Sequence, residues 1–306
     1  MPTVLWTGKL SPSAKLIVNT SNLFAWITGN ARDTSAMKQR IKAGYEGICT
    51  DYVTRYDTLG LNHFTKIAGE LLEGLDLQGK YVLDIGCGTG IVSFLAVSRE
   101  SAKVIGIDIS RYMLEQCRRK AVIKGYSKEQ VDFRQYDAEF LPFDNGSFDI
   151  VLSSMMFGLI PNQERVLSEM KRVLKPNGIV ALSSHGTEYY HEAIDATIRT
   201  IPLRYGFGYR FEFWPREEKA IQRMFAQSGY TDIRTRRLIW QDMFQDGGKA
   251  YDFFATTSAS WWLSKFPPEK IGEISQKNRD YFKRKNVAKI THDIVLAYGR
   301  KPETVG

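Results

Sequence analysis

The sequence predicts a doubly wound α/β fold, and three observations carry that prediction. Apolar stretches of strand length, at residues 104–108, 131–135, 149–154 and 178–184, alternate with helix-length stretches at 92–99, 111–124 and 162–174. That alternation stacks a parallel sheet between helices. A first strand beginning at Val82 runs into a glycine loop, Gly86-Cys87-Gly88-Thr89-Gly90, that opens a helix. A second strand ends in an acid, Asp108, about 20 residues after Gly86, the spacing of a residue that accepts from ribose hydroxyls.

Ahead of this core, residues 1–31 read as an extension. Its apolar patches, Leu16-Ile17-Val18 and Leu23-Phe24-Ala25-Trp26-Ile27, are interrupted by Asn19, Ser21 and Asn22. They fall short of the ~20 apolar residues of a membrane span, and no cleavage site follows a basic start. The extension packs on the core, or serves a lid or a dimer contact. Residues 34–50 and 61–75 have helical spacing, the former with Met37, Ile41 and Tyr45 on one side.

Beyond the fifth strand the alternation is broken by an aromatic and basic segment, 189–216. A helix at 217–227, a strand at 231–240, a second insertion at 250–285 and a last strand at 290–298 follow. The expected organisation is an extension (1–31), a helical lid segment (32–79), the core (80–184), a lid insertion (185–216), core (217–245), a lid insertion (246–288), and the last core strand with its tail (289–306).

A chain of 306 residues with 43% hydrophobic content can bury a large core and still build a lid. Its formal charge of +8 permits anionic partners without specifying any. Three cysteines, Cys49, Cys87 and Cys117, have neither disulfide parity nor metal spacing, so no metal is expected and a reducing cytoplasm is the natural setting.

The loop chemistry narrows the cofactor. A dinucleotide fingerprint is G-x-G-x-x-G, whereas here Ile91 stands at the third glycine position. Asp84, two residues ahead of the loop, would repel a pyrophosphate but suits an ammonium and a sulfonium. S-adenosylmethionine carries both charges and no phosphate.

With these residues in place the sequence resembles the class I S-adenosylmethionine-dependent methyltransferases, near the ubiquinone and menaquinone biosynthesis group. The resemblance runs in register over residues 81–184 and loosely to the end. It implies a Rossmann-like sheet of seven strands, mostly parallel, with an antiparallel last strand and a helical lid. It also implies that Asp84 steadies the methionine end, that Gly86, Cys87, Gly88 and Gly90 lie beneath the cofactor, and that Asp108 binds the ribose. By the same resemblance Ile109 and Met113 flank the adenine, and Asp137 with Ala138, in Tyr136-Asp137-Ala138-Glu139-Phe140-Leu141-Pro142-Phe143, meets its amino group. The fourth strand, with Ser153, and the Val173-Leu174-Lys175-Pro176-Asn177-Gly178 turn also match. Tyr52 and Tyr56 fall in the segment that closes over the cofactor in similar enzymes, where a ring face favours a sulfonium. Taken singly, each acid could be a turn or cap residue; three in order specify a site. Asp149, at the start of its strand, reads as structural.

Strand direction locates the candidates for chemistry. His185 follows the fifth strand, and Gln241 and Asp242 follow the sixth. His292 and Asp293 stand near the amino end of a last strand that runs the other way, so His185 and His292 could face one cavity. Methyl transfer is an in-line displacement dominated by positioning, and a base is needed only where the acceptor must lose a proton. His185 is the first candidate for that base and His292 the second; either could equally be a wall residue. Small-molecule members often carry a histidine after the fourth strand, where this chain has Met155-Met156-Phe157-Gly158.

Trp214, Trp261 and Trp262 suit an apolar or aromatic acceptor as well as they suit packing. Arg199, Arg204, Arg210 and Arg216 interleave with aromatic residues, a texture also used for single-stranded nucleic acid. The fourth strand ends in Ser153-Ser154-Met155-Met156, however, without the Pro-Pro-aromatic element of base methylation. The thiols are too dispersed for arsenic chemistry. The expected activity is methyl transfer to oxygen or carbon of a hydrophobic small molecule. The alternatives are an RNA or protein methyltransferase and a non-catalytic cofactor-binding regulator.

Overall fold

The computed structural model describes residues 8–27, 34–47, 61–200, 217–256 and 266–303. β1 (Tyr81–Ile85) is buried at every position but the first, as a strand covered on both faces must be. β2 (Lys103–Asp108) and β4 (Phe148–Ser154) flank it in parallel, placing Gly106 and Leu152 on either side of Asp84. β3 (Val131–Gln135) continues the parallel ladder beyond β2, and β5 (Leu174–His185) continues it beyond β4. With β6 (Thr231–Met243) and β7 (Lys289–Arg300) the sheet has seven strands in the order β3-β2-β1-β4-β5-β7-β6.

β7 is antiparallel. Gly186 N–H donates to the Asp293 carbonyl, while Asn177 N–H, nine residues back along the chain, donates to the later Lys301 carbonyl. Strand order reverses between β1 and β4, the switch point at which an open α/β sheet has its ligand crevice.

The chain divides into two compact units. The first comprises Asn62–Ser184, Glu217–Arg237 and Val295–Gly306, and the second Met1–Leu61, His185–Arg216 and Leu238–Ile294. Divisions fall at residues 61/62, 184/185, 216/217, 237/238 and 294/295.

In the first unit the core gathers Leu83, Ile85, Ile107, Val151, Leu182 and Phe225, all essentially without solvent contact. Helices α3 (Leu61–Leu71), α4 (Ile91–Ser98), α5 (Arg111–Ile123), α6 (Gln163–Val173) and α8 (Glu218–Gln227) cover it. α4 is apolar nearly all round and buries Val92, Phe94, Ala96 and Val97. α5 starts where the Ser110 hydroxyl accepts from Met113 N–H at 3.4 Å, an N-cap. Tyr230 donates its hydroxyl proton to the Leu167 carbonyl at 2.9 Å, which lets a phenol sit in the core.

The second unit contains α1 (Pro12–Ile27), α2 (Thr34–Gly47), α7 (His191–Ile198), α9 (Gly247–Phe254) and α10 (Pro268–Arg284). α9 begins at Asp246, whose carboxylate accepts from Gly248 and Lys249 N–H. It packs on α10 through Tyr251 and Phe254, both against Phe282. α1 buries Ala14, Val18 and Ser21 and turns Leu16, Leu23 and Ile27 outward; ahead of it Ser11 N–H donates to Asp195 at 2.9 Å.

Three boundaries depart from the sequence reading. β5 starts at Leu174 rather than 178, because Leu174 pairs with Phe148 and Lys301 N–H donates to the Gly178 carbonyl, absorbing the Lys-Pro-Asn-Gly turn as an irregularity of the ladder. β6 runs on to Met243, and beyond it Phe244 N–H donates to the Ala288 carbonyl. α3 stops at Leu71 and gives way to a turn in which Leu75 N–H donates to the Leu72 carbonyl. Among the described residues no helix is long and apolar enough to cross a membrane, and no group of three or more His, Cys, Asp or Glu could hold a metal.

Candidate functional site

The glycine loop hangs from β2. Gly86 and Cys87 N–H both donate to the Ile107 carbonyl, at 2.8 and 2.9 Å. Gly86 has φ 70°, and a Cβ there would lie 2.4 Å from Met156 Cγ, so both the turn and the packing require glycine. Gly88 has φ 52° with nothing within 4 Å of where a side chain would start: its backbone faces open space, as a loop beneath a ligand must.

Asp84 ends in this crevice, buried. Ser93 donates its hydroxyl to Asp84 Oδ2 at 2.6 Å, while Oδ1 has no hydrogen-bond partner among the described residues. Burial pushes the carboxyl up to about 7, and a cation supplied to Oδ1 would restore the ionised form. Asp108 is bound to the loop, since Gly88 N–H donates to Oδ2 at 3.0 Å and Ser110 N–H to Oδ1 at 2.8 Å. Burial raises its carboxyl as well, against these backbone donors. A group bearing a cation and a diol fits this pair: an under-bonded carboxylate, an open glycine turn and a fixed acid lie on adjacent strands.

The third acid sits in the turn after β3, where Glu139 N–H donates to Asp137 Oδ1 at 2.9 Å and Tyr136 N–H to the Asp108 carbonyl at 3.3 Å. The segment beyond it is clamped by Arg172, which donates to the Leu141 and Phe143 carbonyls at 2.7 Å each and to Glu169. Glu169 in turn accepts from Leu141 N–H at 2.9 Å, and the Arg172 guanidinium holds its carboxyl below the usual range. Asn162 donates to Glu139 at 2.8 Å. Gln135 donates to the Ile109 carbonyl at 3.0 Å, fixing the turn before α5, the helix in which Met113 is buried. Ala138 is half-buried beside Asp137.

Ser153 is buried on β4, and its hydroxyl lacks a partner among the described residues. Two residues on, Met155 takes a left-handed φ of 58°, with its N–H donating to Ser183 Oγ at 2.9 Å. Such strain at a strand's carboxyl end is held in place by its surroundings and tends to accompany function. Cys87 and Cys117 are buried; Cys117 donates to the Gly88 carbonyl at 3.0 Å, and burial pushes the Cys87 thiol up, so these thiols shape the loop. Asp149 accepts from Tyr81 N–H and Lys175, both at 2.9 Å, and ties strand starts together.

The histidines belong to the second unit. His185 meets the edge of Tyr189 at 4.6 Å, Tyr189 stacks on Tyr190 at 4.0 Å, and Tyr190 meets His292 at 5.1 Å. Ring contacts thus link the two imidazoles through Tyr189 and Tyr190. Burial pushes His185 down to about 3. His292 has no exposed surface: Trp240 stacks on it at 4.6 Å, Phe253 approaches edge-on at 5.9 Å, and Nε2 lies 2.8 Å from Asp242 Oδ2. Asp293 is used structurally, accepting from Glu188 N–H at 2.7 Å, and Gln241 donates to Thr291 at 3.4 Å.

Tyr52, Tyr56, Cys49, Arg204, Arg210, Arg216, Trp214, Trp261 and Trp262 lie outside the described residues. Ser93, Arg172, Glu169 and the Tyr189–Tyr190 stack are contributors that sequence reasoning misses. Only Ser93 carries a local signal, as a small polar residue in the apolar helix that follows the loop.

Comparison with known proteins agrees with this geometry. The methyltransferase domain family matches residues 83–182. The demethylmenaquinone methyltransferase of Lactococcus lactis is 29% identical over 247 residues, 75% of this chain and 94% of that protein. The phthiotriol/phenolphthiotriol dimycocerosates methyltransferase of Mycobacterium tuberculosis is 34% identical over 131 residues, 42% of this chain and 47% of that protein. Among solved structures, a Haemonchus contortus phosphoethanolamine N-methyltransferase in complex with S-adenosylhomocysteine superposes with TM-score 0.54 at 20% identity, over 84% of this chain and 59% of that one.

Proposed function

Starting from the class I S-adenosylmethionine-dependent methyltransferases, the family to which this chain belongs, we propose that it methylates oxygen or carbon on a hydrophobic or aromatic small molecule. The observation that carries the acceptor class is the alignment, across three quarters of the chain, with an enzyme named for demethylmenaquinone. The aromatic surroundings of His292, built from Trp240, Tyr190 and Phe253, support it. Buried thiols at Cys87 and Cys117 support a cytoplasmic setting.

When bound, the cofactor supplies a methyl on a cationic sulfur. In this reading Asp84 holds the ammonium end through Oδ1, with Ser93 fixing the carboxylate's other oxygen. Asp108, its position set by Gly88 and Ser110, would accept from the ribose hydroxyls. Gly86, Cys87, Gly88 and Gly90 form the floor. Asp137 would accept from the adenine amino group with Ala138 beside it, Ile109 and Met113 would flank the ring, and Ser153 would offer its hydroxyl, without a partner among the described residues, near the end of β4. Tyr52 and Tyr56, outside the described residues, are carried as cofactor-binding candidates by the resemblance alone.

Of the two histidines, His292 has Asp242 Oδ2 at 2.8 Å from Nε2 to orient its ring, and is the candidate base for an acceptor that must lose a proton. His185, pushed down to about 3, has little proton affinity at neutral pH and serves as a neutral wall or hydrogen-bonding residue. Radiolabelled methyl transfer from S-adenosylmethionine to a panel of phenols, quinols, thiols and RNA tests the reading. Turnover of phenols or quinols is expected, and turnover of RNA alone would replace it with the macromolecular alternative.

A further inference from the structure

Lys120 Nζ donates to the Thr89 carbonyl of the glycine loop at 3.3 Å, and the end of α5 beyond it holds none of the candidate cofactor residues. Residues 118–128 read Arg-Arg-Lys-Ala-Val-Ile-Lys-Gly-Tyr-Ser-Lys, with cations at 118, 119, 120, 124 and 128 and no acid. α5 buries Met113, Leu114, Cys117 and Ala121 against the sheet, which leaves the two residues after Ala121 facing out. Val122 is 79% exposed and Ile123 84%, more than any other large hydrophobic side chain described.

Arg119 stands one helical turn before Val122 and Ile123, and Lys124 follows them directly. Arg118 donates to the Phe133 carbonyl at 2.8 Å, and Lys124 Nζ lies 5.8 Å from the Phe94 ring. Arg119 and Lys128 are exposed. The nearest acid along the chain, Glu129, feels both Lys103 and Lys128 and is lowered mainly by local hydrogen bonds. Glu115 is engaged by Arg111 at 3.5 Å.

We propose that this surface docks the protein on an anionic lipid bilayer, with Val122 and Ile123 entering the headgroup layer while Arg119, Lys124 and Lys128 contact lipid phosphates. Apolar tips set among lysines and arginines are the chemistry of an interfacial anchor. Two aliphatic side chains are too small a patch for a stable protein interface, which takes about 800 Å² per partner. A nucleic-acid surface would offer rings for base stacking, and the nearby Tyr126 is already stacked on Phe94 at 6.0 Å. α5 runs from the Asp108 end of β2 back toward the start of β3, so docking here leaves the glycine loop clear.

The test is co-sedimentation of the full chain with vesicles of phosphatidylcholine alone and of phosphatidylcholine with phosphatidylglycerol. It does not depend on the methyl acceptor, and calorimetric binding of S-adenosylmethionine serves as the control for folding. The chain is expected to bind only the anionic vesicles, less well as salt rises. Val122→Ser with Ile123→Ser, and separately Lys124→Glu with Lys128→Glu, should each lower partitioning about tenfold or more with cofactor binding unchanged. Absence of binding to anionic vesicles, or undiminished binding by both variants, would overturn the proposal. So would binding of single-stranded RNA that the charge reversal abolishes while vesicles bind nothing.

Discussion

Gly88 N–H donates to Asp108 Oδ2 across 3.0 Å, which ties the glycine loop after β1 to the acid that ends β2. Asp108→Ala removes both the ribose acceptor and the loop's tether. Hydrogen bonds to a charged group contribute about 1.5–3 kcal/mol. S-adenosylmethionine affinity should therefore fall about 10- to 100-fold by calorimetry, and unchanged affinity would contradict the placement.

The two central glycines should respond differently to substitution. Gly88→Ala incurs about 1–2 kcal/mol of left-handed strain and meets no protein atom, so the apo protein should fold while cofactor binding is lost. Gly86→Ala adds a collision with Met156 and should lower the melting temperature much further. Equal melting temperatures for the two variants would refute the distinction.

Asp84 makes cofactor binding sensitive to pH. The folded carboxyl titrates near 7 against an ordinary 3.8, so between these values the native state holds a proton that the unfolded chain has released. This group thus stabilises the apo fold below about pH 4, and the contribution is lost as pH rises through 7. Pairing with an ammonium needs the ionised form. Affinity should accordingly climb toward a plateau above pH 7, by up to about tenfold per unit below it, and Asp84→Asn should bind weakly with no such dependence. A flat wild-type profile across pH 6–8 would rule out the pairing.

Arg172 acts at a distance from the ligand. Its bonds to Leu141, Phe143, Asn145 and Glu169 hold the segment after Asp137, so Arg172→Ala should cost about 1–3 kcal/mol of stability and weaken cofactor binding. Differential scanning calorimetry and titration of the same sample measure both. Intact affinity in a folded variant would limit the clamp to stability.

The histidines separate by pH. His185 titrates near 3 in the fold and at 6.5 ordinarily, so on acidification the unfolded chain takes the proton first. Stability is therefore lost as pH falls from about 6.5 toward 3, and His185→Gln should flatten that slope with turnover retained. His292→Gln should abolish turnover of an acceptor that must lose a proton. Because His292 is enclosed, Asp242→Asn provides the gentler variant, with an altered pH–rate profile and unchanged cofactor affinity. Normal profiles in both variants would remove His292 as the base.

What can be read from the sequence is local or ordered along the chain. Asp84, the glycine loop and Asp108 lie within one strand–turn–helix–strand unit, so their spacing alone puts them at one edge, and the motifs that follow imply the mostly parallel seven-stranded sheet with an antiparallel last strand. The remainder depends on partners distant in sequence. β5 begins early because Leu174 pairs with Phe148 on the neighbouring strand, and periodicity cannot register that. Ser93 stands out only as a small polar residue in an apolar helix, and its role shows when β1 brings Asp84 against it. The Tyr189–Tyr190 stack that links the histidines depends on a left-handed φ of 52° at Tyr190, a conformation that a non-glycine residue does not announce.

The most direct test of the central claim is calorimetric titration of the purified chain with S-adenosylmethionine and with S-adenosylhomocysteine. One-site binding of both to the wild type, strongly weakened in Asp108→Ala, is the predicted result. Binding of neither to a sample shown to be folded would contradict the cofactor site and the proposed activity that rests on it.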